Sequence, residues 1–162
     1  MGTMARPKYP HSTLEQVRQK KVDASALAHA EARTQREGAE AARDGKVREK
    51  DALVAHAKTI SDREQSAFEQ GGLTVDQLAR RFDFEEGVRI ETDALETQIA
   101  SADEVVREAS NVELVARLDL QSRIADRRVI EKDKERFLSD AQKREEKKEE
   151  EQIEEAWRPK RS

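Results

Sequence analysis

Between Pro10 and Pro159 the chain contains no proline, and inside that span lies its only adjacent glycine pair, Gly71-Gly72. Proline is the residue that most firmly breaks a helix, so a proline-free span can carry helices of any length. Glycine takes the left-handed conformation that closes one. On both sides of the pair, apolar residues recur at threes and fours, the spacing of one helical face. Thr74 followed by Gln77 forms a capping box that opens a second helix directly after the first has stopped. The stretch Phe68-Glu69-Gln70-Gly71-Gly72-Leu73-Thr74-Val75-Asp76-Gln77 therefore reads as the bend of a hairpin. The expected fold is all-α: two long helices in an antiparallel coiled-coil hairpin, the second longer than the first.

Composition narrows the choice further. Of 162 residues, 41% are charged, 35% hydrophobic and 4% aromatic, with no cysteine. A globular domain carries about 25% charged and 45–50% apolar residues, so this chain has too little bulky side chain for a layered core and should be elongated. Its charges are mixed in sign and interspersed with alanine, leucine, glutamine and arginine, which points to long helices rather than disorder. A net charge of −4 provides no strong field for duplex nucleic acid or an anionic membrane. Without cysteine there is neither a disulfide framework nor a thiolate zinc site. The apolar runs are far shorter than the roughly 20 residues that span a bilayer. No secretory signal is visible, so a soluble intracellular protein is expected.

The first helix is expected over about 12–70. Tyr9-Pro10 keeps the chain extended, and Ser12 with Glu15 reads as a capping box. Residues 1–11 are expected to be a flexible N-terminus, with Met1-Gly2-Thr3 either an added leader or a native extension preceding Met4. An alanine-rich stripe follows: Leu14, Val17, Ala24, Ala28, Ala32, Ala39 and Ala42, continued by Val54, Ala57, Ile60, Ala67 and Phe68. Lys21 and Lys46 interrupt it, so the heptad is imperfect. Gly38 and Gly45 each cost about 1 kcal/mol against alanine in a helix. The ordinary explanation is tolerance in an exposed helix; the functional one is a compliant segment that bends against a partner.

The bend is expected at about 71–73, the second helix at about 74–158 and a tail at 159–162; Gly87 leaves two alternatives open, a helix broken near 83–87 or one continuous through it. Its stripe runs through Val88, Leu95, Ile99, Ala102, Val106, Ala109, Val112 and Ala116, and less regularly through Leu118, Ala125, Val129, Phe137 and Ala141. Acid-before-base pairs at i,i+4, such as Glu85/Arg89, Asp103/Arg107, Glu113/Arg117, Asp119/Arg123 and Asp140/Arg144, each add a few tenths of a kcal/mol. At about 1.5 Å per residue the helices measure about 90 and 125 Å, so Ser12 pairs near Glu131 and the second helix overhangs from about Lys132 to Arg158 by about 40 Å. That overhang holds the densest charge, Lys143-Arg144-Glu145-Glu146-Lys147-Lys148-Glu149-Glu150-Glu151, which suits a solvated helix or a docking segment. Ile153 and Trp157, one turn apart, favour docking, since tryptophan is a common interface anchor.

No enzyme motif is present and no catalytic residue is expected. His11, His29 and His56 are too far apart for a metal site on one helix, and no Gly-Lys-Ser/Thr follows the glycine pair to cradle phosphate. No cofactor or metal is expected. Basic clusters such as Arg18-Gln19-Lys20-Lys21 and Arg158-Pro159-Lys160-Arg161 lack interleaved aromatics, so no nucleic-acid partner is expected.

Tyr9-Pro10, Leu14 and Val17 at a helix start, a charged heptad-like hairpin, and a second helix ending in Glu154-Glu155-Ala156-Trp157 resemble the YscO/FliJ proteins. Those are the central stalks of the type III secretion ATPase, in injectisomes and in the flagellar exporter, and the ending is closer to the injectisome branch. The resemblance runs from about Arg6 to Arg161; Gly38 and Gly45 are not expected of the family. It implies a non-catalytic stalk at the cytoplasmic face of a bacterial secretion apparatus. Its paired termini would enter the pore of a hexameric secretion ATPase, promote ring assembly and couple hydrolysis to export, while the bend faces the export gate protein. Secretion chaperones are further partners in some members. Position along the hairpin assigns Leu14, Val17, Arg18 and Lys21 to the ring on the first helix, and Arg144, Lys147, Lys148, Ile153 and Trp157 on the second. Leu73, Leu78, Phe82 and Phe84 face the gate. A monomer or a weak self-associate is expected, with no direct membrane insertion.

Two other readings suit the same residues. A structural adaptor would self-associate through the alanine stripe into a four-helix dimer, because two helices alone bury little apolar area. A holdase chaperone would grip clients at Phe82 and Phe84.

Overall fold

A computed structural model describes residues 5–160, so Met1-Gly2-Thr3-Met4 and the Arg161-Ser162 end of the tail lie outside the described residues. Two helices make up the fold, α1 (Ser12–Gly71) and α2 (Val75–Trp157), of 60 and 83 residues. This is the all-α hairpin with the longer second helix. Of the two alternatives at 83–87 the continuous one is found, and α2 passes unbroken through Gly87. A single exposed glycine costs about 1 kcal/mol, too little to break a helix of this length.

The bend forms as its residue types dictate. Gly72 sits at φ 75° and its N–H donates to the Phe68 carbonyl at 3.0 Å, a left-handed cap that stops α1. Thr74 N donates to Gln77 Oε1 at 2.9 Å and Gln77 N donates to Thr74 Oγ1 at 3.3 Å, closing the capping box in both directions. The box expected at Ser12/Glu15 does not form. Glu15 N instead donates to the His11 carbonyl at 3.0 Å, and the Glu15 carboxylate is drawn across to Lys134 Nζ, also at 3.0 Å.

The chain divides into two compact units, a terminal unit (Met1–His29 with Ala116–Ser162) and a bend unit (Ala30–Val115). In each, a segment of α1 runs antiparallel to a segment of α2. In the terminal unit the register is marked by Glu15 with Lys134, Arg127 Nη1 donating to Gln19 Oε1 at 3.2 Å, and Ser25 Oγ donating to Asp119 at 2.7 Å. Val22 and Ile130 are buried between these pairs. In the bend unit Arg36 pairs with Glu113, Arg43 with Asp103 at 3.7 Å, Lys50 with Glu96 at 2.8 Å and Arg81 with Glu64 at 3.6 Å.

Arg36, Arg43 and Lys50 fall on one row of the heptad, every seventh residue, and all three are half-buried in the seam. The seam of α1 is therefore not the expected alanine stripe. The shielded positions run Arg18, Val22, Ser25, His29, Ala32, Arg36 and on through Leu53, Ala57 and Ile60 to Glu64 at strict three-four spacing. Of the expected stripe, Ala32, Ala39, Ala57 and Ile60 lie in the seam; Leu14, Val17, Ala24, Ala28, Ala42, Val54, Ala67 and Phe68 are exposed. On α2 the expectation is met from Val88 to Ala109, and at Ala116, Phe137 and Ala141. Between them Glu113, Leu120, Ile124, Arg127 and Ile130 take the shielded places, and Val112, Leu118, Ala125 and Val129 are exposed. A charged side chain with a partner directly across can occupy a seam position, and apolar residues alone do not mark it.

Of the five i,i+4 pairs expected on α2, Asp119/Arg123 forms at 3.5 Å. Arg89 and Arg107 turn instead to Glu86 at 2.5 Å and Glu104 at 2.8 Å, and Glu113 reaches across the seam to Arg36.

Candidate partner-binding surfaces

The terminal unit begins with a short extended segment that is not loose. Tyr9 is 7% exposed, its hydroxyl donates to Asp133 Oδ2, and its ring meets Phe137 edge-on at 5.7 Å and His11 at 5.6 Å. The hydrogen bond to Asp133, then burial and the Asp133 charge, push the Tyr9 hydroxyl up to about 12. Pro10 fixes the chain between this anchor and the first turn of α1. The expectation of a flexible 1–11 is thus corrected for the described part: an aromatic side chain has been drawn onto an apolar place on α2 that the first helix is too short to cover. For the same reason the overhang does not start at Lys132. Ala5, Arg6 and Pro7 lie along α2 and with Phe137, Leu138 and Ala141 form an open groove of about 710 Å³. Beyond Lys148 every described residue of α2 is exposed.

The nine ring-facing candidates fall into three groups. Leu14, Val17, Arg18 and Lys21 line a shallow groove of about 180 Å³ together with Arg123 and Asp126, and Arg18 Nη1 donates to the Asp126 carbonyl at 2.5 Å. Arg144 and Lys148 stand with Arg6 at the rim of the larger groove, so three cations and the single carboxylate of Glu145 surround its apolar floor. Ile153 and Trp157 project from the exposed end of α2, Trp157 being 84% exposed, and Lys147 is exposed without a partner among the described residues.

In the bend unit Leu73 and Leu78 are half-buried, and Phe84 lines a groove of about 280 Å³ with Ala57, Ser61 and Val88. Phe82 is 68% exposed on another side of the helix, so the two phenylalanines assigned to the gate do not share one surface. Val75 and Phe68, which sequence reasoning did not assign to this surface, are also exposed beside the bend. In the seam of this unit the Glu113 carboxylate, and after it Glu40 at 2.9 Å, raise the Arg36 guanidinium above its ordinary value and keep it charged. Among the described residues no group of acids and histidines could hold a metal ion, and no helix is long and apolar enough to cross a membrane.

The family model of YscO-like proteins matches residues 6–157. The chain belongs to the YscO-like family. The match spans both helices and includes the anchored segment from Arg6 and the exposed Trp157. A solved structure from Chlamydia trachomatis, of a protein proposed to be a YscO homolog, superposes with a TM-score of 0.73, covering 94% of this chain and 93% of that one at 22% identity, which establishes a common fold. No curated protein sequence matches the chain significantly. The family is a structural, non-catalytic one of type III secretion coiled coils.

Proposed function

We propose that this YscO-like protein is the non-catalytic central stalk of a type III secretion ATPase, at the cytoplasmic face of a bacterial secretion apparatus. The terminal unit enters the hexameric ring, promotes its assembly and couples ATP hydrolysis to export, and the bend unit meets the export gate protein. The observation that carries this reading is the end of α2: past Lys148 the helix has no intramolecular partner among the described residues, yet it continues to an 84% exposed Trp157 one turn beyond Ile153. Exposed tryptophan at a helix end has no stabilising role in a free hairpin and is a strong anchor when covered. The mixed-sign surface suits a stalk that steps within a ring, because exposed charge pairs are individually weak and screened and leave no single deep well.

The test is the ATPase rate and oligomer size of the cognate secretion ATPase with the wild-type protein and with Ile153→Ala/Trp157→Ala. Stimulated hydrolysis and hexamer formation by the wild type, both lost in the double variant, is the expected result. A wild type that changes neither quantity rules the stalk reading out.

A further inference from the structure

On the terminal unit the residues displaced from the seam form a second face. Leu14, Val17, Ala24 and Ala28 each precede a seam residue of α1 (Glu15, Arg18, Ser25 and His29), so they share one flank of that helix. On α2, Asp119, Asp126 and Val129 precede the seam residues Leu120, Arg127 and Ile130. In an antiparallel pair these two flanks lie on the same side. The groove lined jointly by Leu14, Val17 and Lys21 of α1 and by Arg123 and Asp126 of α2 places them there. Leu14 and Val17 are nearly half exposed, and Val129 is 62% exposed.

We infer that this face is a self-association surface whose occupant is a second copy of the chain, turned about an axis along the unit so that α1 of one copy covers α2 of the other. Three observations select that occupant. The seam pairs Gln19/Arg127 and Ser25/Asp119 fix which residues are level: Val17 with Val129, and Lys21 within about one helical turn of Asp126. A rotation about the unit's own direction preserves those levels, so valine meets valine across the interface. The charges obey the same symmetry. Of the charged residues in the groove, Arg18 is held by the Asp126 carbonyl and Arg123 by Asp119, which leaves Lys21 on the α1 side and the Asp126 carboxylate on the α2 side, so each copy brings its free cation onto the other's free carboxylate. A partner of one sign would meet a like charge at Lys21 or at Asp126. Lys21 and Asp126 line the same groove, and among the described residues neither side chain is in an ion pair, which leaves both available to a second copy.

The apolar area available is on the order of 400 Å² per copy, within the range of the largest patch on an ordinary monomer and about half of what a standard stable interface buries on each side. The association is therefore weak, in the micromolar range or above, and symmetric.

Sedimentation velocity of the full chain across the micromolar range tests this, with far-UV circular dichroism to show that each variant keeps its helices. Wild type moves from monomer to dimer with concentration. Val129→Asp remains monomeric, and Lys21→Asp and Asp126→Lys, each alone, weaken dimerisation at least about tenfold by placing like charges together. The two charge variants mixed in equal amounts associate with each other, since 21 and 126 are then opposite in sign at both ends of the pair. A wild type that stays monomeric throughout overturns the inference. So does a dimer that Val129→Asp leaves intact, or two charge variants that fail to associate on mixing.

Discussion

Alanine in place of glycine should change stability in opposite directions at positions that the backbone distinguishes. Gly38 and Gly45 lie inside α1 and Gly87 inside α2; an added Cβ meets nothing within 4 Å at Gly38 or Gly87, and only Arg48 Nη2 at 4.0 Å, an ordinary contact, at Gly45. With no steric cost, each substitution keeps the helix-propensity gain of about 0.8–1.0 kcal/mol, which comes from the backbone freedom that glycine alone retains when unfolded. No side-chain partner is shared among the three sites, so the gains add to about 2.5–3 kcal/mol. At about 2–4 °C per kcal/mol for a chain of this size the triple variant should melt about 5–12 °C higher. Gly72 is the control: it sits at φ 75°, where an L side chain costs about 1–2 kcal/mol, so Gly72→Ala should lower stability although its Cβ also meets open space. Thermal and urea melts followed by far-UV circular dichroism read both effects. A triple variant no more stable than wild type would mean that the helices are not continuous through these glycines in solution. A neutral Gly72→Ala would refute the left-handed cap.

Adjacent residues on α2 test the seam. Ile130 is 6% exposed and Val129 62%, so Ile130→Ala should cost about 2–4 kcal/mol in urea unfolding while Val129→Ala stays within about 0.5 kcal/mol. The chain has one tyrosine, so its ultraviolet absorbance titrates Tyr9 alone. The midpoint should lie near 12 rather than the ordinary 10.0, and Asp133→Asn should bring it down towards 10. Because the folded value is raised, the contribution of this contact to stability is complete below pH 10 and is lost as the pH rises towards 12. Release of the 5–11 segment should accordingly appear as protease sensitivity in that window and not between pH 6 and 9. A Tyr9 that titrates at 10 would show that the anchor does not hold.

The residues that fixed the fold in advance were those whose effect is local. Gly71-Gly72 and the Thr74/Gln77 pair need only their immediate neighbours to stop one helix and start another, and both act in the structure as their chemistry requires. The seam depends on residues far apart in sequence and was only partly legible. Arg36, Arg43 and Lys50 look like solvent-facing residues until the register brings Glu113, Asp103 and Glu96 opposite them. Ser12/Glu15 failed as a box for the same reason, because Lys134 across the pair competes for the carboxylate. The strict seven-residue spacing of three bases was the signal that could have located the seam, and it lies in charge rather than in hydrophobicity. Tyr9 gave no periodic signal at all. Its place depends on Phe137 and Asp133, which only the folded register brings to it.

A seam tied by charges leaves apolar side chains free for other surfaces, and that division accounts for much of this molecule. Burial of Val22, Ala32 and Ile130 with the cross-helix pairs holds each unit together, while Leu14, Val17 and Val129 contribute little to it. Leu14 and Val17 stand both among the proposed ring contacts and in the proposed pairing face, so the two associations compete for the same side chains. Val129 separates them, since it belongs to the pairing face and not to the ring-facing set. Val129→Asp should therefore abolish the dimer and leave stimulation of the cognate ATPase intact, or raise it where dimer would otherwise withhold the stalk. Loss of stimulation in that variant, with its helices unchanged, would place the ring contact on this flank as well and would end the distinction between the two surfaces.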